Sequence, residues 1–541
     1  MNKLFTLVFA LCAASLFAQP ETPNDWWNLD NGDNSYPGVS ANKAQEYLKG
    51  KEGQPVVVAV IDSGVDIEHE DLKDIIWTNP GEIAGNGIDD DQNGYVDDVH
   101  GWNFIGGKDG RNVNGENLEI VRLYNTYKAK YNNRNRDGLS KKEKVEFDRY
   151  EEYKATIDAK REELGPQATQ LISMRETMDA TIEKMGKKAA DVTLADIEAL
   201  TDKDMGTQSL QSMVARMTAN GATFPDFYEQ ITSYADYLDQ SYNMNYNPDF
   251  DAREIVGDNP GDLDDRNYGN NDVEGPDAMH GTHVSGIIAA VRDNGIGVNG
   301  VGGPNVRIMS VRTVPNGDER DKDVANAIRY AVDNGASVIN MSFGKSASPY
   351  KEAVDAAMKY AEKNDVLLVH AAGNDGKVLT LTNNYPNDTY LGKKKTGKTW
   401  ITVGASSSDY GDNLAAPFSN YNKKYVDVFA PGQNIYATFP DDEYSAISGT
   451  SMAAPMVAGI AALLRSYFPD LKATQVKEII EDSALPVSLV VVKPGSEETI
   501  SFADLSATGG LANAYTAVKL AEQTKGKKKK TAKRDASLMM Y

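Results

Sequence analysis

Short, uninterrupted apolar runs that alternate with helical stretches are the feature that most constrains the fold of this chain. The run Pro55–Ile61 is rich in β-branched residues and ends at a polar one, a pattern typical of parallel strands buried on both faces. Similar runs are 306–311, 337–343, 366–370, 400–403 and 426–429, with helical stretches such as 321–333 and 350–363 between them. This alternation predicts an α/β fold, in which helices cover both faces of a parallel sheet and ligands gather at the carboxyl ends of its strands.

A helical, highly charged segment divides the α/β region into a first part, residues 19–115, and a second part, residues 249–522. Within the segment 116–248, apolar residues recur at the helical spacing of three and four, namely Leu171, Met174, Met178, Ile182, Met185, Tyr150, Tyr153 and Ile157. Ser140 with Glu143, and Thr193 with Asp196, have the form of helix-starting capping boxes. We therefore predict a helical insertion at 116–248.

The N-terminus has the layout of a secretory signal peptide at residues 1–18. A short basic start at Lys3 precedes the apolar stretch Leu4–Phe17, and Ala18 offers a small residue for cleavage. The alternative is an ordered N-terminal helix. Removal of residues 1–18 predicts a secreted protein, extracellular, on the cell surface or in the periplasm, with no transmembrane segment.

Cysteine content and charge exclude several classes of function. The only cysteine, Cys12, lies within the predicted signal, so the mature chain can form no disulfide and cannot use thiol catalysis. The formal net charge of −23 argues against nucleic acid as a partner. The final residues 523–541 are basic; we expect them to be a solvated, disordered tail, with surface tethering as the alternative.

Three polar motifs stand where the predicted sheet would place a site. Asp62 follows the first strand, His280 opens a Gly-rich helical segment, and Ser451 precedes an apolar helix with a proline in its first turn. Each motif alone is weak, because a strand-terminal Asp is usually a cap and a lone His is usually structural. Together, in the order Asp, His, Ser, they supply the nucleophile, base and orienting carboxylate that acyl transfer requires.

These motifs, Ile61–Asp66, His280–Gly286 and Ser448–Pro455, make the chain resemble the subtilase family of serine peptidases, over roughly 24–115 and 249–522. The resemblance implies a subtilisin-like α/β fold with a mostly parallel sheet. It also implies a serine endopeptidase with Ser451 as nucleophile, His280 as general base and then acid, and Asp62 orienting His280. His283 matches the second histidine of the family motif and is not the base.

The resemblance extends to two further segments. Val369–Gly376 resembles the segment that carries the family's oxyanion asparagine, which would be Asn374 here, assisted by the backbone N–H of Ser451. Ser342, Phe343 and Gly344 match the stretch that lines the family's first specificity pocket, where an extended substrate would pair as an added strand. Protein and peptide substrates are the partners that this implies.

A calcium loop is predicted at residues 87–98. Asp89, Asp91 and Asn93 have the spacing of the first half of a calcium loop around Gly94, and the Tyr95 carbonyl with Asp97 or Asp98 would complete the ligands. His100 stands where an EF-hand places its bidentate Glu, so we expect a calcium loop of another kind with a structural role and no cofactor for the chemistry. The alternative is a solvated acidic turn.

Two departures from the family pattern shape the remaining expectations. Few residues separate the predicted signal from the first strand, so an N-terminal pro-domain and its removal are not expected. The helical insertion lies between the Asp and His motifs, and we hypothesise that it sits on the rim of the active site and restricts access or docks a partner. A stabilising appendage is the alternative. The rival to the enzyme as a whole is a catalytically silent subtilase-like scaffold that binds a partner through this insertion.

Overall fold

The computed structural model describes residues 22–201, 205–218, 223–392 and 396–527. The predicted signal peptide at 1–18 lies outside the described residues, as does the predicted tail from 528 onward. The first residues of the predicted tail, 523–527, are described. The last described helix ends at Gln523, and the backbones of Lys525 and Lys527 form hydrogen bonds with the Gln475 side chain.

A nine-stranded sheet forms the centre of the molecule, in the order β10-β13-β7-β6-β5-β4-β1-β3-β2. All neighbours in it are parallel except β10 and β13. The described strands are β1 Val56–Asp62, β2 Gly101–Asn103, β3 Val306–Arg312, β4 Val338–Met341, β5 Leu367–Ala371, β6 Trp400–Ser406, β7 Val428–Pro431, β8 Ile435–Phe439, β9 Glu443–Ile447, β10 Leu485–Pro486, β11 Val490–Val492, β12 Thr499–Ser501 and β13 Gly510–Leu511. The six predicted apolar runs correspond to β1 and β3–β7, so the predicted α/β fold with its mostly parallel sheet is confirmed.

Helices cover both faces of this sheet. The described α-helices are α1 Asn31–Asn34, α2 Ala41–Leu48, α3 Glu119–Tyr131, α4 Lys141–Met185, α5 Leu194–Glu198, α6 Met205–Thr218, α7 Phe224–Gln240, α8 Arg253–Val256, α9 Met279–Ala289, α10 Asp321–Asp333, α11 Lys351–Lys363, α12 Thr450–Tyr467, α13 Ala473–Asp482 and α14 Ala514–Gln523. None of the helices in the described ranges combines the length and apolarity that a membrane crossing requires.

Strand β1 shows why both faces of the sheet are shielded from solvent. Val58 and Val60 belong to the hydrophobic core that contains α9 and α12, whereas Ala59 and Ile61 belong to the core that contains α10 and α11. Because successive side chains point to opposite faces of a strand, a run with no polar residue is needed to fill two cores. The uninterrupted apolar run therefore follows from the helices on both sides.

The helices α3–α7 form the segment predicted as an insertion, and they build cores of their own. The longest of them, α4, has 45 residues and extends about 70 Å at 1.5 Å per residue. The predicted capping boxes at Ser140 and Thr193 are both confirmed, each with the reciprocal side-chain and backbone hydrogen bonds. Of the predicted apolar stripe, Met178 and Ile157 are buried almost completely.

Candidate active site

Asp62 ends β1 at the carboxyl edge of the sheet, and its carboxylate holds His280. The Asp62 side chain is 2% exposed, and its Oδ1 accepts hydrogen bonds from the His280 ring at Nδ1 (2.7 Å) and from the Ser63 backbone (2.8 Å). Because a carboxylate only accepts, Nδ1 carries the proton, and the neutral ring presents its Nε2 lone pair on the other side. The imidazole is thereby fixed in the tautomer that a general base needs.

His280 lies in the first turn of α9, which packs closely against the end of β1. A Cβ at the next residue, Gly281, would come within 2.0 Å of the Gly64 carbonyl oxygen, so only glycine permits this approach. Burial alone would lower the pKa of His280, but the charge and hydrogen bond of Asp62, together with the charge of Asp277, outweigh it and raise this pKa. The Asp62–His280 pair therefore stabilises the cationic, doubly protonated ring that forms when Nε2 accepts a proton.

His283 has a structural role on the same helix. Its ring is fully buried, and Nε2 lies 2.9 Å from the Ile435 carbonyl and 3.2 Å from that of Ser445. Burial lowers the pKa of His283 to about 4. It therefore stays neutral and ties α9 to the hairpin β8–β9.

Ser451 is the second residue of α12, and its hydroxyl faces the end of β4. Its Oγ donates to the Ser342 carbonyl at 3.0 Å, while the Ser342 hydroxyl donates to the Ser451 carbonyl at 2.9 Å. Among the described contacts of these residues there is no hydrogen bond between Ser451 and His280. Strand pairing brings the residues that hold them to the same edge of the sheet: Ile61 pairs with Met341, and the next residues, Asp62 and Ser342, hydrogen-bond to His280 and Ser451 respectively.

Asn374 follows β5 and presents its amide N–H group to the same place. Its Oδ1 accepts from the Thr450 backbone N–H (2.8 Å) and the Thr450 hydroxyl (2.9 Å), so its Nδ2 must point away from Thr450. The Thr450 hydroxyl also accepts from the Gly373 N–H at 3.0 Å, and Gly373 has φ +96°, a conformation that favours glycine. These bonds fix two neighbouring loops, and within the described part of the chain the Asn374 Nδ2 group has no hydrogen-bond acceptor and lines the same cavity as Ser451.

A cavity of about 490 Å³ opens next to Ser451. The predicted residues Ser342, Phe343, Gly344, Asn374 and Ser451 all line it. Beyond Gly344 the segment turns away to pair with Tyr385, through the Lys345 N–H (3.0 Å) and the Lys345 carbonyl (2.9 Å). Among the described residues, Ser342–Gly344 takes part in no strand pair, and this segment faces the cavity.

Sequence reasoning missed several residues that line this cavity. Asn384 donates to the carbonyls of Ala371 (3.3 Å) and Ala372 (3.0 Å), and its Oδ1 faces Gly344. Further lining residues are Leu118, Ile120, Tyr246, Asp318, Asp375 and Lys377. Three of them, Leu118, Ile120 and Tyr246, come from the two ends of the helical insertion, and no sequence motif marks them.

The predicted calcium loop gathers carboxylates, but in a somewhat different set. Oxygens of Glu82, Asp91 and Asp98 lie within 4.8 Å of one another. Asp89, by contrast, accepts hydrogen bonds from the backbones of Asn93 (3.0 Å) and Gly94 (2.8 Å) and so stabilises the turn.

Asn93 and Tyr95, two further predicted ligands, make other contacts around the loop. The Asn93 amide nitrogen donates to Asp91 (3.1 Å) and Asp98 (3.0 Å). The Tyr95 ring packs into the core against Trp102, and the Tyr95 carbonyl stays a predicted ligand. Burial raises the pKa of Asp98 to about 6, and the charge of Asp91 adds to this shift. Crowded carboxylate oxygens of this kind fit the hard-ligand preference of Ca²⁺.

Comparisons with known proteins show which family the chain resembles. Residues 53–517 match the model of the subtilase family. A thermophilic serine proteinase of Bacillus sp. (strain AK1) is 38% identical over 242 residues, which cover 44% of this chain and 54% of that protein. Thermitase of Thermoactinomyces vulgaris is 39% identical over 210 residues, covering 39% of this chain and 68% of thermitase.

Subtilisin DY of Bacillus licheniformis is 37% identical over 208 residues, covering 38% of this chain and 70% of that protein. The chain thus spans between about half and about two thirds of the lengths of these relatives. The family that its motifs predicted is confirmed, and the chain belongs to the subtilase family.

Proposed function

We propose that this protein hydrolyses internal peptide bonds of protein substrates through an acyl-enzyme on Ser451. The observation that carries the proposal is the 2.7 Å contact between Asp62 and the Nδ1 of His280, which holds the ring in the tautomer whose Nε2 can accept a proton. Family membership supports the same chemistry.

The reaction begins when Ser451 Oγ gives its proton to His280 Nε2 and attacks the carbonyl carbon of the substrate. The resulting oxyanion accepts hydrogen bonds from Asn374 Nδ2 and from the Ser451 backbone N–H in the first turn of α12. His280 then returns the proton to the leaving amine, and the C–N bond breaks. Water repeats the same steps on the acyl-enzyme, with His280 as base and then acid.

The Ser451 hydroxyl must turn from the Ser342 carbonyl toward His280 before it can react. Such a change is a rotation about the Cα–Cβ bond between staggered conformers. Catalytic hydrogen bonds in substrate-free enzymes are often loose and tighten when substrate binds. A substrate strand paired with Ser342–Gly344 would favour this rotation by crowding the position that the hydroxyl now occupies.

Cleavage of an end-blocked peptide tests the proposal, because blocked ends exclude exopeptidase action. We expect internal products from the wild type, and none above background from Ser451→Ala or His280→Ala. Ser448→Ala is the matched control, since Ser448 is an exposed serine of the same motif whose backbone neighbour Gly449 lies between it and α12. Undiminished cleavage by Ser451→Ala would contradict the proposal.

We also propose that Glu82, Asp91 and Asp98 hold a structural Ca²⁺, in place of the set led by Asp89. The support is the mutual approach of their oxygens within 4.8 Å. The ion would offset two of the three negative charges on the loop between β1 and β2 and takes no part in peptide hydrolysis.

Export is proposed on the sequence alone, from the apolar stretch Leu4–Phe17. Mass spectrometry of the exported protein should find an N-terminus at Gln19. An intact Met1 on the exported protein would contradict it. A partner for the helical insertion remains a prediction.

A further inference from the structure

The two ends of the helical insertion form one wall of the cavity beside Ser451. Leu118 and Ile120 stand at its beginning and Tyr246 near its end, and all three are half-buried and line the cavity. Asp318, on the segment before α10, lines it next to them. The insertion is therefore part of the substrate cavity itself.

Buried ion pairs fix this wall to the sheet domain. Glu119, in the first turn of α3, accepts from Lys345 at 2.7 Å and from Arg122 at 2.6 Å. Lys345 also contacts Asp321 at 2.9 Å, and its side chain is only 1% exposed. Since breaking a buried pair leaves an uncompensated charge, these contacts make the insertion base a fixed wall and not a mobile lid.

This network contains more acidic than basic groups. Its members are Glu116, Glu119, Arg122, Asp318, Glu319, Arg320, Asp321 and Lys345. Five of these are carboxylates and three are cations. The cations are used within the network: Lys345 donates to Glu119 and to the Glu319 backbone, and Arg122 donates to Glu119 and to the backbones of Asp318 and Glu319.

Two carboxylates in this network lack a cationic hydrogen-bond partner among the described residues. Asp318 accepts from the backbone N–H of Glu119 at 2.7 Å, and Glu319 is 2% exposed with its Oε1 left without any partner. Burial raises the pKa of Glu319 to about 8 and also raises that of Asp318. At pH 7 Glu319 is therefore mostly protonated and adds little charge, so the carboxylate that this wall can offer to a cation is that of Asp318.

The remaining cation that lines the cavity does not change this balance. Lys377 is exposed to solvent and belongs to the segment after Asn374. Solvent screens such a charge strongly. A cation from the substrate would have an aliphatic surface to lie along and the Asp318 carboxylate to reach.

We propose that this wall is a subsite for a lysine or arginine side chain of the substrate, upstream of the cleaved bond. The methylene stem would pack on Leu118 and Ile120, and the cationic end would pair with Asp318. The inference rests on the proposed function, since it assigns a specificity to the same site.

The position of the subsite along the substrate follows from the edge Ser342–Gly344. Ser342 contacts Ser451, whereas Lys345, three residues further, contacts the insertion base. Three residues of extended chain span about 10 Å at most, so the insertion base is reached within that length of backbone from the residue that contacts Ser451. If the residue before the cleaved bond occupies the pocket at this edge, the basic side chain belongs to the second, third or fourth residue before that bond.

The test compares end-blocked peptides that differ only by lysine or norleucine at each of these three positions. Norleucine keeps the apolar stem and removes the charge. We expect kcat/KM to be about tenfold higher for lysine at one position, the effect of one partly desolvated charged hydrogen bond. In Asp318→Asn, which keeps an oxygen for the Glu119 N–H, this ratio should fall to near unity.

Asp375→Asn is the matched control, because Asp375 is another acidic residue that lines the cavity but is exposed and apart from the network. The lysine-to-norleucine ratio should stay high in this variant. If Asp318→Asn does not fold, Ile120→Lys provides a second variant. It places a competing cation on the wall and should also remove the preference.

A ratio near unity or in favour of norleucine in the wild type would overturn the inference, as would a ratio unchanged in Asp318→Asn. Cleavage of both peptides without discrimination contradicts only the subsite. Failure to cleave either peptide, together with an unreactive Ser451, contradicts the proposed function as well.

Discussion

Replacement of Asn374 by alanine tests how the oxyanion is stabilised. In this structure the Asn374 carbonyl oxygen is held by two hydrogen bonds from Thr450, at 2.8 and 2.9 Å, so the amide N–H is oriented before substrate arrives. A donor oriented in advance contributes most when charge develops on the substrate oxygen. Loss of one such donor costs about 10²–10³ in kcat, or about 2.7–4 kcal/mol.

The variant should lower kcat by that factor and leave KM nearly unchanged, because the hydrogen bond forms mainly in the transition state. Steady-state kinetics with one end-blocked peptide measure both constants. Asn364→Ala is the control, since Asn364 is exposed at the end of α11 and bonds only to that helix. A loss in kcat below about threefold, or an effect confined to KM, would refute the role assigned to Asn374.

Three further predictions follow from other contacts. Asp62 raises the pKa of His280, so kcat/KM should fall as pH decreases through a value above the ordinary 6.5. Asp62→Asn should shift this acidic limb of the pH profile to lower pH, and an unshifted limb would contradict the pairing. Calcium removal by a chelator should lower the Tm of the wild type, measured by calorimetry, by about 5–10 °C. The Asp91→Asn variant should lose most of this decrease in Tm, and an equal decrease in both proteins would argue against this site. Lys345→Met leaves the buried carboxylate of Glu119 without its lysine partner, so it should lower the free energy of unfolding by about 3–5 kcal/mol in a denaturant titration. A loss below about 1 kcal/mol would show that the network does not fix the insertion.

Much of the sheet domain could be predicted because its constraints are local. A strand such as β1 must fill two cores, so its sequence is an uninterrupted apolar run, and its residue Asp62 is the first polar group at the carboxyl edge. The motif residues His280 and Ser451 lie in the first turns of helices with recognisable starts. For such residues, the local pattern predicts the strand or helix that carries them, and the topology rules predict the edge of the sheet at which they lie.

The cavity wall could not be predicted in this way. Leu118, Ile120 and Tyr246 read as ordinary members of an amphipathic helical segment, and tertiary contacts such as that between Glu119 and Lys345 bring them to the cavity. The proposed metal ligands show the same limit. Spacing pointed to Asp89, but its carboxylate is used by backbone N–H groups of the loop, while Glu82 reaches the cluster from outside the motif.

Reaction with a fluorophosphonate, followed by peptide mapping, examines the central chemistry most directly, because only a serine made nucleophilic by a neighbouring base forms the adduct readily. We predict a single adduct on Ser451, absent in Ser451→Ala and formed far more slowly in His280→Ala. An adduct on another residue, or equal rates with and without the His280 imidazole, would contradict the account.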